Sequence, residues 1–169
     1  SYIGKVQQDW LNQQLVDSKE PVIVISHQPI AGIYTIDNAV EIQNLLAVHA
    51  NKIILAINGH AHVDQLIQLA GVSYLHLNSA SYYWVGEKHS HLSMDATTHA
   101  AFPDLSRTCP YAEVLFGILT LDRKKGSLTL TGRKSSWIGP SPLELGYGIL
   151  SKAEQDLYLQ PRISDRKIS

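Results

Sequence analysis

Over the first eighty residues the apolar positions alternate between two rhythms. Ile3, Val6, Trp10 and Leu11 recur near helical spacing with Gln, Asn and Asp between them, which predicts an amphipathic helix over 3–16. Pro21 then acts as a stop signal. Val22-Ile23-Val24-Ile25 is a short continuous run rich in β-branched residues, the pattern of a strand buried on both faces. Ser26-His27-Gln28-Pro29 ends it, and a loop runs on to Asp37. Ile42, Leu45, Leu46 and His49 fall at i, i+3, i+4 and i+7, so a second helix is predicted over 38–50. Ile53-Ile54-Leu55-Ala56-Ile57 is a second continuous apolar run and ends in Asn58-Gly59-His60-Ala61-His62. Helix, strand, helix, strand in this order implies parallel strands covered by helices.

From residue 64 the rhythm changes. Leu66 to Leu69, Ala70-Gly71 and Val72 to Leu77 predict two strands joined by a tight turn. Residues 80–112 hold aromatics, three histidines and scattered Gly, Pro and Cys without a period, and read as a long surface excursion. Val114 to Leu121, Arg123-Lys124-Lys125-Gly126 and Leu128 to Thr131 predict a second hairpin. Pro140 and Pro142 open a C-terminal tail over 136–169. Internal repeats are absent.

A chain of 169 residues is long enough for one domain with a real core. A net charge of -1, with Lys and Arg scattered, gives no clustered basic face for nucleic acid. Arg162, Arg166 and Lys167 stand among Asp156 and Asp165 and read as a solvated tail. Cys109 is the only cysteine, so no intrachain disulfide can form, and with no base beside it in sequence it reads as inert. No apolar run approaches the roughly 18 residues that span a bilayer. No signal sequence is visible at Ser1; any such segment would lie upstream.

The chemistry collects at the ends of the two apolar runs. In open α/β sheets functional groups gather beyond the carboxyl ends of parallel strands, and His27, His60 and His62 all fall there. If 60–62 stays extended, His60 and His62 project to one side, with Gly59 easing a turn that a Cβ would obstruct. Imidazoles suit zinc, iron and related transition metals.

A helix carrying Trp10-Leu11, a strand ending in Ser26-His27-Gln28-Pro29 and a strand ending in Gly59-His60-Ala61-His62 together resemble the fourth and fifth motifs of the calcineurin-like metallophosphoesterases. The resemblance covers residues 1–80 well, including the hairpin near Val72–Asn78, and 113–135 loosely. It implies an α/β fold, half of that family's four-layer α/β/β/α sandwich, with parallel strands followed by antiparallel hairpins. The domain would span 1–135, with 80–112 as an insertion or cleft loop, followed by the tail. The resemblance also implies hydrolysis of phosphate mono- or diesters at a binuclear centre holding two of Mn, Fe or Zn. His27 and His60 would bind one metal and His62 the other. Such metals polarise phosphoryl oxygens and lower the pKa of a bridging water.

The family's Asp-x-His, Gly-Asp and Gly-Asn-His motifs are absent from these 169 residues. The bridging aspartate, the asparagine ligand and the usual acid histidine are therefore expected in a missing N-terminal half, which joins the phosphate ester as a partner. By itself the chain is expected to be inactive, although three histidines could hold one metal. Half a sheet would leave an unpaired edge along Val22–Ile25 or Ile53–Ile57 and favour oligomers or marginal stability. The alternative is a non-catalytic metal-binding or interaction domain that lost the acidic half. A third option is a split enzyme whose other half lies on a separate chain.

The remaining histidines carry weaker signals. His49 lies on the apolar stripe of its helix and reads as a packing residue; His76, in a hairpin, reads as structural. His89 and His91 form another His-x-His without a strong strand before it, and are weaker candidates for a metal or substrate contact, as is His99. Tyr34, Tyr82, Tyr83 and Trp84 are candidates to line a pocket or to pack.

Overall fold

The computed structural model describes residues 1–122, 124, 127–148 and 151–168. The chain divides into two compact units, Ser1–Ala61 with Gln65–Leu77 and His62–Asp64 with Asn78–Ser169. The architecture is mixed α/β, with parallel and antiparallel pairing in one sheet.

The first unit contains α1 (Lys5–Asp17), β1 (Val22–Ser26), α2 (Ala39–Val48), β2 (Ile53–Asn58), β3 (Gln65–Leu69) and β4 (Val72–His76). The sheet order is β1-β2-β4-β3. β1 and β4 both run parallel to β2, and β3 pairs antiparallel with β4. The β1–α2–β2 crossover is thus the parallel unit that the alternating rhythms predict. Its core joins Leu15 of α1 and Ile42 and Leu46 of α2 to Val24, Ile53, Ala56 and Tyr74 of the sheet. Ile42 and Leu46 are wholly enclosed, each contributing about 2 kcal/mol through burial.

Two expectations fail here for a geometric reason. The expected apolar face of α1 included Val6 and Trp10, yet both are exposed, and the helix docks through Leu11 and the buried Leu15. Leu11 and Leu15 lie one turn apart, whereas Val6 and Trp10 are rotated away from them. β1 was expected to be buried on both faces. It is an edge strand instead, with Val24 inward and Ile25 77% exposed. A continuous apolar run cannot distinguish a central strand from an edge strand. Of the two strands expected to offer an open edge, β1 does; β2 is paired on both sides.

The β3–β4 turn rests on Ala70 (φ 50°) and Gly71 (φ 81°), both left-handed. Two consecutive left-handed residues match the right-handed twist of the strands they join.

The second unit holds two small sheets. β5 (Tyr82–Trp84) pairs antiparallel with β6 (Thr108–Pro110). Between them lie 3-10 turns at Glu87–His89 and Pro103–Arg107 and the short helix α3 (Ala96–Ala101). Residues 80–112 are therefore more than a surface excursion: Tyr83, Val85, Cys109 and Tyr111 are buried. Strands of three residues are too short for an alternating pattern to register. The second hairpin is present as β7 (Ile118–Asp122) and β8 (Ser127–Thr131). Arg123, Lys125 and Gly126 of its expected turn lie outside the described residues.

The stretch expected as a tail carries α4 (Lys152–Tyr158) and β9 (Arg166–Ile168), the latter completing the sheet beside β8. Ser151 and Glu154 form a reciprocal capping box at the start of α4. Arg162 and Arg166 are partly buried rather than freely solvated. Both bind the buried Asp64 carboxylate, Arg166 Nη2 at 2.7 Å and Arg162 Nε at 3.4 Å, and Ser164 donates to it through its hydroxyl and its N–H. Partners 98 and 102 residues apart leave no local trace in a sequence. Among the described residues no helix is long and apolar enough to cross a membrane.

Candidate metal centre

The first unit brings two of the three candidate ligands together. The β1–β2 register ends on Ser26 opposite Asn58. One step further, the Gly59 N–H donates to the His27 carbonyl at 3.1 Å, and Ser26 Oγ donates to the Gln28 carbonyl at 2.8 Å. The strand ends are thus fixed to each other just where the histidines begin. The rings of His27 and His60 lie edge to face, centroids 5.2 Å apart at 70°, and both residues are exposed.

The segment between His60 and His62 is not extended. His60 (φ 60°) and His62 (φ 52°) both adopt left-handed conformations, and the Ala61 N–H donates to the Gly59 carbonyl at 2.6 Å. The chain therefore makes a three-residue turn centred on His60. Nor does the turn depend on Gly59 for space, because a Cβ there would meet nothing closer than the His27 carbonyl oxygen at 3.9 Å. The strain falls on the histidines, which cannot adopt this conformation as freely as glycine does. Side chains held this way cost of order 1–3 kcal/mol each and cluster at functional sites.

His62 belongs to the second unit. Its ring stands edge to face with Tyr82 (5.3 Å, 68°) and Tyr83 (6.2 Å, 79°). Tyr83 is buried and its hydroxyl donates to that of Tyr147 at 3.3 Å. Tyr34 and Trp84 are largely exposed. Among the described residues no group of three or more His, Cys, Asp or Glu is gathered in a way that would hold one metal ion.

His49, His89, His91 and His99 each have one ring nitrogen in a hydrogen bond, while His91 Nε2 and His99 Nδ1 are buried without one among the described residues. His49 Nε2 meets Asn12 Oδ1 at 2.9 Å at the end of α2. His89 and His91 each direct Nδ1 at a backbone carbonyl, those of Leu145 (3.0 Å) and His89 (3.1 Å). His99 Nε2 accepts from the Ser93 and Met94 N–H groups. Cys109 is enclosed, and burial pushes its thiol up to about 12, so it is chemically quiet.

Two polar residues stand out that the motifs do not flag as functional. Asn58, 2% exposed, ends β2, and neither its amide oxygen nor its nitrogen has a hydrogen-bond partner among the described residues. His76, wholly buried at the end of β4, is its register partner, and neither ring nitrogen reaches hydrogen-bond geometry. Burial holds the His76 imidazole below its ordinary pKa, and the nearby Ala31 backbone offsets this only in part. The only sequence signal for this pair was its place at strand ends.

No family model matches the chain, and no curated protein matches it. The donor set itself is the remaining test of fit for a metal. Two exposed imidazoles in ring contact suit a transition metal. No carboxylate is gathered with them among the described residues.

Proposed function

We propose that this chain supplies histidine ligands to a two-metal centre that hydrolyses phosphate mono- or diesters, after the pattern of the calcineurin-like metallophosphoesterases. Its acidic ligands would come from residues outside these 169, which would also complete the four-layer sandwich. One observation carries the reading: the exposed His27–His60 ring pair at the carboxyl ends of two adjacent parallel strands. That edge of a parallel sheet is where ligand sites form. The left-handed turn at His60 supports it, because unfavourable backbone geometry persists where function requires it. His62 is assigned the second metal on the motif alone.

Two of Mn, Fe or Zn bound there would polarise a phosphoryl oxygen and lower the pKa of a water. The chain's own contribution is to hold two imidazoles in fixed relation. The strand register and the Gly59–His27 hydrogen bond hold the two backbones together where those side chains begin.

The test uses a protein in which this chain is joined to a segment bearing Asp-x-His, Gly-Asp and Gly-Asn-His motifs. With Mn2+ it should hydrolyse bis(p-nitrophenyl) phosphate or p-nitrophenyl phosphate, and His60→Ala should lower kcat/KM by about a hundredfold or more. Unchanged turnover in that variant would sink the assignment. The 169-residue chain alone should show no turnover. The absence of a gathered carboxylate also favours a second reading, a non-catalytic metal-binding module. Metal binding without turnover by the joined protein would decide for it.

A further inference from the structure

Asn58 and His76 are opposite one another at the carboxyl ends of neighbouring strands, and both side chains are enclosed; the Asn58 amide has no hydrogen-bond partner among the described residues, and His76 has only the Ala31 backbone beside it. Interiors seldom keep such groups, because each loses its water and gains nothing in return. An Asn–His pair whose only polar neighbour is the Ala31 backbone beside His76 is a poor choice for packing alone. Leu shares the branched shape of Asn, Met is close to His in volume, and neither carries such a penalty.

The location supplies a reason for keeping them. Asn58 immediately precedes the Gly59-His60 turn, and its carbonyl accepts the Leu77 N–H at 2.8 Å, which fastens the end of β2 to the end of β4. His76 lies under the loop that leaves His27. Gly32 in that loop (φ 83°) comes so close that an added Cβ would stand 3.1 Å from His76 Nε2 and 3.3 Å from its Cε1. The pair therefore touches both segments that carry the candidate ligands: the strand leading to His60 and the loop following His27.

We propose that Asn58 and His76 are positioning residues, a buried polar pair that sets the placement of His60 relative to His27. The inference rests on reading those two histidines as metal ligands. Direct hydrogen-bond partners of a ligating imidazole fix its orientation, and their loss weakens metal binding by about 10- to 100-fold; Asn58 and His76 act one step further out, on the segments that carry the ligands.

The experiment measures Zn2+ affinity by calorimetry and thermal stability without metal, both on the 169-residue chain. The Asn58→Leu/His76→Met double variant should melt about 3 °C higher, as unmatched polar groups leave the interior, yet bind Zn2+ about tenfold more weakly. Should that variant fail to fold, the single variant Asn58→Leu decides by the same two readouts. His76→Gln, which keeps a polar group at the position, should retain affinity within about threefold. Wild-type affinity in the apolar variants overturns the proposal. So does a lower melting temperature accompanying weaker binding, which would make the pair structural. His60→Ala separates the two readings. If it binds Zn2+ as the wild type does, the ligand assignment has failed; if it does not and the apolar variants do, only the positioning role has.

Discussion

At the level of single residues the sequence announces donors but not their geometry. His27 and His60 are legible from their places at the ends of apolar runs, and the structure pairs their rings. Their backbones are joined by a hydrogen bond and a left-handed turn, neither of which leaves a compositional mark. His76 shows the converse, a residue whose environment matters more than its motif. Burial depresses its pKa in the fold, so between the folded value and about 6.5 the unfolded chain binds a proton that the folded chain does not. The stability due to the neutral ring is complete above about pH 6.5 and is lost as pH falls through the folded value. Melting between pH 7.5 and 5 should therefore fall more steeply for the wild type than for His76→Met; parallel curves would remove His76 as the source. Asp64 gives a second residue-scale prediction. Its carboxylate is 1% exposed and serves two arginines and Ser164. Asp64→Ala leaves Arg166, 20% exposed, without that partner, and should cost about 3 kcal/mol in urea unfolding. A loss below about 1 kcal/mol would mean that water replaces the carboxylate.

Elements were easier to read than their faces. α2, β2 and the β3–β4 hairpin are all present close to where their rhythms place them, and α2 buries Ile42 and Leu46 of its marked stripe. α1 was legible as a helix, but its buried face was not, since four apolar residues near helical spacing admit more than one face. Nothing local announces the short strands β5, β6 and β9, which exist through partners distant in sequence. The β3–β4 turn offers a clean test of local geometry. Ala70 holds φ 50°, a conformation that costs a Cβ-bearing residue about 1–2 kcal/mol. Glycine removes that strain but raises the entropy of the unfolded chain by roughly 0.5–1 kcal/mol. Ala70→Gly should therefore stabilise by about 0.5 kcal/mol, read as a higher urea midpoint at unchanged m. Gly71→Ala should destabilise, because φ is 81° there and the new Cβ would stand 3.2 Å from that of Ala50. A neutral Gly71→Ala would show that the turn relaxes to another type.

For the whole molecule, the sheet order decides what the chain can do next. β2 and β4 are paired on both sides, so β1 and β3 are the two edges of the sheet. β1 presents Ile25, 77% exposed, and Ile23 outward, with the exposed Val6 and Trp10 on α1. Neither charge nor proline lies within Val22–Ser26 to discourage another strand from pairing there. A strand bearing acidic ligands and an identical copy of this chain would compete for that edge. The 169-residue chain should therefore self-associate as concentration rises in analytical ultracentrifugation. Ile25→Lys, on a solvent-facing position, should shift the chain toward monomer with little change in melting temperature, since Ile25 buries almost nothing. The same substitution should weaken capture of any completing segment that pairs with β1. If Ile25→Lys associates as the wild type does, contact is made elsewhere and β1 is not the edge that recruits a partner. If the wild type is monomeric at every concentration reached, the twist and brevity of a five-residue strand are enough to protect it.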